Sequence, residues 1–319
     1  MSTMITGGTG FLGSYLARLL IDKGITPVLY DIAPPHGALK EIEGNYEFVR
    51  GSLTNLSEIL NCVREHSVDT IFHLGGLLSL PSEENPWSAF DINLLGTYKI
   101  LEASRLEGVK KVIFGSTIAT FSNDIETATV NDFSVQHPNS MYGTTKVMCE
   151  TIGRYYAIRF GIDFRSIRIP SVVGPGAKTP HMSIYNCWAI EESLKGNPYV
   201  LFCEPETKVA VIYFKDAARA LMMLADADEK DLPTRVYNIK GVAPYTADDL
   251  VTIIRKRIPG AQLRFESDPT AVALLKRLGQ LEFTDERAHN EWGWTSSYDL
   301  TAMVDDFIQE FKEHRSWYE

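Results

Sequence analysis

The chain is poor in the features that mark most specialised classes of protein. It has four cysteines, Cys62, Cys149, Cys187 and Cys203, far apart and without a C-x-x-C pair. No histidine stands at metal-ligand spacing, so the pattern predicts neither a metal site nor a disulfide framework but reduced, packed thiols. No apolar run is long enough to span a bilayer. A secretory leader needs a charged start and an apolar stretch, whereas Met1 leads within a few residues into a glycine-rich turn, so a cytoplasmic protein is expected. Positive charge is also in deficit, with 31 Lys and Arg against 41 Asp and Glu and a net charge of -10. That balance repels phosphate backbones and anionic lipid, which argues against nucleic acid or a membrane as partner. Glycine and proline are scattered, and neither repeats nor low-complexity stretches occur.

What is present is a globular composition, 45% apolar and 23% charged, in a chain of 319 residues that can bury a large core. Strand-length apolar runs recur at Thr3 to Thr6, Thr26 to Tyr30, Tyr46 to Arg50, Val68 to Leu74, Lys110 to Ser116 and Ile162 to Arg168. Segments of helical period separate them; Phe11, Leu12, Leu16, Leu19 and Leu20 line one helix face. Such alternation predicts an α/β fold, a doubly wound parallel sheet. The rhythm breaks after Pro170, where Pro175, Pro180, Pro198 and Pro205 interrupt shorter elements. The expected division is a nucleotide-binding domain over 1–170, with elements returning near 208–240, and a smaller substrate-binding lobe mainly over 171–319. The helix with Leu300, Met303, Val304, Phe307, Ile308 and Phe311 on one face packs on the body.

Thr6-Gly7-Gly8-Thr9-Gly10-Phe11-Leu12-Gly13 follows a strand and opens a helix, the context in which a glycine string cradles a dinucleotide. Glycines let the backbone approach a pyrophosphate, and the helix amino end presents free N–H groups. Asp31 ends the second strand, where a carboxylate meets the adenosine ribose and repels a 2′-phosphate; NAD is therefore expected over NADP. His73, before Leu74-Gly75-Gly76, is expected to be a satisfied core histidine.

Tyr142-Gly143-Thr144-Thr145-Lys146 puts a phenol and an ammonium one helical turn apart on one face. A free tyrosine has a pKa of about 10, but a lysine charge within a few ångströms, plus the positive ring of an oxidised nicotinamide, favours the phenolate, a usable general base near neutral pH. Ser116-Thr117 brings two hydroxyls to the carboxyl end of the fifth strand, where ligands of open α/β sheets bind.

The glycine turn, Asp31, Asn93-Leu94-Leu95-Gly96-Thr97, Ser116-Thr117, Tyr142 with Lys146, and Arg168 followed by Val173-Gly174-Pro175 together resemble the extended short-chain dehydrogenase/reductase family over almost the whole chain. The resemblance implies a Rossmann fold, NAD as cofactor and Thr117, Tyr142 and Lys146 as catalytic residues. Thr117 would orient the reacting oxygen, Tyr142 move its proton, Lys146 bind the nicotinamide ribose and Asn93 support the proton path. It further implies a cofactor site of Gly7, Gly10, Phe11, Leu12, Asp31, Leu53, Leu74, Gly75, Gly76, Asn93 and Ile169 with Tyr142 and Lys146. Ser79, Ser116, Thr179 and Met182 would contact substrate with Thr117 and Tyr142. A homodimer is implied too, the helix through Ile152, Tyr155 and Tyr156 pairing with that from Trp87 to Glu107.

Leu74-Gly75-Gly76-Leu77-Leu78-Ser79, Ser116-Thr117-Ile118-Ala119, Thr207-Lys208 before Tyr213 and Glu291-Trp292-Gly293-Trp294 are similar to the L-threonine 3-dehydrogenase branch of that family, which oxidises a β-hydroxyl with NAD. Two departures stand out: His181-Met182-Ser183-Ile184-Tyr185 replaces a loop with an acid and a threonine, and Gly279 stands where that branch has a tryptophan. Nucleotide-sugar epimerases share Tyr, Lys and the Asn-x-x-Gly-Thr run, but an arginine gripping a nucleotide phosphate is replaced around Val209. A non-catalytic NAD-sensing module is the alternative of another class; this chain keeps the tyrosine and lysine such modules tend to lose.

Overall fold

The computed structural model describes residues 2–122, 129–279 and 281–318. Seven parallel strands form the central sheet: β1 (Ser2–Thr6), β2 (Val28–Asp31), β3 (Glu47–Arg50), β4 (Val68–His73), β5 (Lys111–Thr117), β6 (Asp163–Ile169) and β7 (Val236–Asn238). Their spatial order is β7-β6-β5-β4-β1-β2-β3. All neighbours run the same way, so each connection crosses over a face and all carboxyl ends share one rim. Order reverses beside β1, between β2 and β4, which opens the crevice where such sheets take ligands.

Helices cover both faces because the strands are apolar on both. One layer buries Ile5, Leu29, Ile113 and Ile167 against Leu16 and Leu20 of helix α1 (Phe11–Asp22) and against Ala217 and Leu221. The other buries Met4, Ile71, Val112 and Phe164 against Ile59, Ile100, Leu101 and Cys149. All four cysteines are free and buried.

After Ile169 the chain leaves the sheet, returning as the helix Phe214–Asp226 and the edge strand β7. Outside it, Ser171–Val173 pairs with Val211–Tyr213, and Tyr199–Leu201 with Leu263–Phe265. These pack with Ile190, Leu250, Ile254, Val304 and Phe307 into a separate core. The amphipathic helix spans Leu300–Glu313 and buries Met303, Val304, Phe307 and Phe311.

Candidate active site

β1 ends at Thr6 and α1 begins at Phe11, so the chain reverses within the glycines between them. Gly7 has φ 69°, and a Cβ there would stand 2.8 Å from the main chain of Gly75. A Cβ on Gly13 would overlap the carbonyl oxygen of Gly7, so only glycine lets the helix begin this close to the strand. Gly10 caps α1 without a side-chain acceptor, leaving the first-turn N–H groups for an anion. Asp31 holds its carboxylate beside this turn, Oδ2 accepting from the Thr9 amide at 3.1 Å and Oδ1 from Ala33 at 3.1 Å. Leu53 packs toward Gly75, while Leu74 and Ile169 flank Gly115. A groove of close backbone and apolar side chains, headed by a helix amino end and edged by one carboxylate, fits NAD.

Behind the groove a hydrogen-bonded chain fixes the end of β4. Thr97 Oγ1 donates to the Asn93 carbonyl at 2.6 Å, so its contact at 2.9 Å with His73 Nε2 places a proton on that nitrogen. His73 Nδ1 then accepts from Thr6 Oγ1 at 2.6 Å, and Thr6 in turn accepts from the Gly75 amide. Burial, helped by the Lys146 charge, drives the His73 pKa down to about 3, so the ring is neutral. The expected core histidine is what the structure contains. Asn93 sits in a π-helical turn, Phe90–Leu95, within the run from Trp87 to Glu107; such turns re-aim side chains inside a helix. Its amide grips both backbone groups of Leu77, Oδ1 from the amide at 2.7 Å and Nδ2 to the carbonyl at 3.1 Å.

Tyr142 and Lys146 lie in the first turns of helix α2 (Met141–Phe160), capped by the Ser140 hydroxyl, which accepts from the Gly143 amide at 3.0 Å. Gly143 brings this helix against the turn after β5, for a Cβ there would overlap the Ala119 carbonyl. Thr117, last residue of β5, thereby stands close enough to the Tyr142 phenol to favour its phenolate. Lys146 is buried, its ammonium donating to the Gly115 carbonyl at 2.8 Å and lying 5.7 Å from the Tyr142 ring centre.

The electrostatics differ from the sequence expectation. Burial raises the Tyr142 pKa to about 12, Cys149 adds to it, and only Thr117 opposes. Burial lowers Lys146 to about 8, against the pull of Cys149 and Glu150. Lys146 spends a hydrogen bond on a backbone carbonyl, so the phenol stays protonated at neutral pH unless another positive charge arrives.

The other expected residues are placed unevenly. Ser79 opens a short helix and is half-buried. Ser116 is buried and gives its proton to Glu150 at 2.5 Å, so its hydroxyl is engaged behind Thr117 rather than offered to the cleft. Thr179 lines a cavity of about 220 Å³ with Gly10, Phe11, Arg18 and Trp317. Met182 packs on the core of the second lobe. Sequence reasoning missed Gly143 and Glu150. The latter stands four residues after Lys146, one turn on along the same face, and that spacing was its available signal.

Fold, crevice and helix-borne Tyr and Lys define an NAD-dependent enzyme of the Rossmann type. The pattern of the NAD dependent epimerase/dehydratase family matches residues 3–239, and the chain belongs to that family, the extended short-chain dehydrogenases/reductases. L-threonine 3-dehydrogenase, mitochondrial, of Bos taurus is 27% identical over 307 residues, 94% of this chain and 80% of the relative. The crystal structure of L-threonine dehydrogenase from Phytophthora infestans superposes with a TM-score of 0.89 at 30% identity, covering 98% of this chain and 100% of that one. A UDP-glucose 4-epimerase from Thermotoga maritima shares the fold, TM-score 0.86 at 22% identity, with 98% and 99% covered.

Proposed function

We propose that this protein oxidises the secondary alcohol of a small polar substrate in the manner of an L-threonine 3-dehydrogenase. The observation that carries this reading is the convergence of Thr117, at the end of β5, and Tyr142, at the start of α2, at the carboxyl rim of the sheet, with the buried Lys146 ammonium 5.7 Å from the tyrosine ring centre. NAD, when bound, supplies a ring that takes up or returns a hydride and, while oxidised, a positive charge. Thr117 and Tyr142 hold the alcohol oxygen between them, and Tyr142 takes its proton. The protein's own charges leave Tyr142 protonated, so its phenolate would need a further positive charge beside it, such as an oxidised nicotinamide would supply. Lys146 would hold the ribose hydroxyls. Asp31 receives the adenosine ribose, and Asn93 holds Leu77 beside Ser79 at the substrate mouth.

The substrate wall differs from what binds an amino acid in the resembling branch. Ser183 bonds Ser171 at 2.6 Å and His181 at 3.1 Å, so hydroxyls and an imidazole stand where that branch has an acid. A hydroxylated substrate other than threonine therefore remains inside the reading. The test is NADH appearance across β-hydroxy amino acids, hydroxy acids, sugars and UDP-sugars. Net NADH supports dehydrogenation, whereas UDP-sugar interconversion without it supports a 4-epimerase. Tyr142→Phe is expected to cut kcat by roughly 10²–10⁴-fold with NAD affinity nearly kept; unchanged turnover discards the mechanism.

A second copy of the chain is the partner we propose. Trp87 is 79% exposed, Tyr98 45% and Ile158 86%, and Tyr155 is also exposed. Tyr98 meets Tyr156 edge to face, so these residues belong to two adjacent helices and form one apolar face that suits a two-fold interface. Ile152 and Tyr156 instead pack inward, Tyr156 bonding Glu102, and so are core rather than contact residues. Light scattering at micromolar concentration checks this; a monomer rejects it. Among the described residues no helix is long and apolar enough to cross a membrane.

A further inference from the structure

Beneath Thr117 lies a buried polar cluster that the proposed chemistry leaves unused. Glu150, 3% exposed, accepts from Ser116 at 2.5 Å, from Gln136 Nε2 at 2.9 Å and from Arg168, whose Nη2 is 2.9 Å and Nε 3.1 Å away. Arg168 in turn donates through Nη1 to the Asp132 carbonyl at 3.0 Å and to Asn238 Oδ1 at 3.1 Å. Asp132 Oδ1 closes the circuit by accepting from the Asn238 amide at 2.5 Å. One carboxylate thus ties three parts of the chain to the helix that bears Tyr142 and Lys146: the residue before Thr117, the strand end before Ile169, and the segment joining Thr117 to Tyr142.

A buried carboxylate and guanidinium cost heavily in desolvation, and well-packed apolar residues would commonly serve stability as well or better. Placement gives the pair another use. Ser116 and Thr117 are consecutive, so clamping one fixes the backbone that aims the other, and β5 is held in register with β6 at Ser116–Arg168 and Thr117–Ile169. Glu150 also faces Lys146 along α2. The remaining groups around that ammonium are Tyr142 and Cys149 on its own helix, His73 from β4, and the Phe114 ring and Gly115 carbonyl from β5.

We propose that Glu150 is a positioning residue for the reaction, setting the aim of Thr117 through Ser116. This rests on the reading of the Tyr142 site given above. It deepens that reading by assigning work to a side chain that touches neither substrate nor cofactor.

The test is Glu150→Gln, which keeps size and removes charge, measured as kcat and KM with folding followed by circular dichroism. The expected result is a kcat lower by about 10-fold or more with a KM for NAD within about two-fold. Activity lowered only by the unfolded fraction, with wild-type kcat per folded enzyme, overturns the proposal. Should Glu150→Gln fail to fold, Ser116→Ala cuts one hydrogen bond and spares the ion pair. It is expected to lower kcat by about 3- to 10-fold without weakening NAD, and wild-type kcat in a folded Ser116→Ala enzyme overturns the aiming role. Tyr142→Phe separates the two readings. Turnover retained in that variant defeats the reading of the site itself, whereas turnover abolished there with an unaltered Glu150→Gln kcat defeats the role of Glu150 alone.

Discussion

Around the glycine turn, the wall expected to take the cofactor, the close approaches are made by main-chain atoms, whereas in the segment after β6 they are made by side chains. Gly7 meets Gly75, and Gly13 lies against the Gly7 carbonyl. After β6, Ser171, Ser183 and His181 form contacts that any change of side chain would rewrite. A backbone-built surface has few solutions, each needing glycine at fixed positions. A surface built from side chains has many, which is how one fold serves several substrates behind one cofactor site.

The largest effect is expected from filling the backbone contact. Gly13→Ala puts a methyl group into the Gly7 carbonyl and should cost about 3 kcal/mol and abolish measurable NAD binding, since neither backbone can yield alone. Gly196→Ala, in the second lobe, is the matched control. Its φ of 78° resists a side chain, but nothing lies within 4 Å of the added methyl, so a loss of about 1 kcal/mol with NAD affinity intact is expected. Thermal melts with and without NAD read both. If Gly13→Ala binds NAD normally, the cofactor wall is not the backbone surface described.

Protonation gives a smaller effect on the same wall. His73 has a pKa near 3 in the folded protein and 6.5 ordinarily, so below pH 6.5 the unfolded chain takes up a proton that the folded chain refuses. Its stabilising share is complete above pH 6.5 and drains away as pH falls toward 3, by at most ~3 kcal/mol at pH 4. His181, in the segment after β6, is lowered by burial to about 4 and loses stability in the same direction over a narrower span. His73→Gln should therefore be less stable than wild type at pH 7, with the gap closing as pH is lowered to 4.5. A gap that widens shows that His73 is not held neutral.

The same contrast explains what could be read in the sequence. Six strand-length runs fell within about two residues of β1 to β6, because strands buried on both faces leave an apolar signature. Glycine spacing, Asp31, and the Tyr142 and Lys146 pair were legible for the same kind of reason, a local geometry that tolerates few residue types. Ser116 was read as a substrate contact because its position on the rim was visible, while its proton acceptor, Glu150, came from another element. For the Tyr142 phenol the sequence displayed the lysine and implied the cofactor's positive ring, which favour the phenolate, but not the burial that opposes them. Thr179 and Met182 belong to a loop whose course depends on helices far along the chain, so nothing local announced that one would edge a cavity by Trp317 and the other enter a core.

The finest distinction lies on the expected cofactor wall itself, at the carboxylate beside the glycine turn. Asp31 already accepts two backbone amides, from Thr9 and Ala33, which hold the carboxylate in place before any ribose arrives. Asp31→Ala removes an acceptor for the ribose hydroxyls and the repulsion against a 2′-phosphate, and it also frees the Thr9 amide. The ratio of kcat/KM for NADP to that for NAD should rise by about 10-fold, equal to roughly 1.4 kcal/mol, with most of the change from weakened NAD. Asp31→Asn keeps the two amide contacts without the charge and separates the causes. If discrimination is chiefly electrostatic, Asn should behave as Ala does toward NADP while retaining more of the NAD affinity. A ratio unmoved in both variants would mean that the neighbouring main chain, like the rest of this wall, chooses the cofactor by shape.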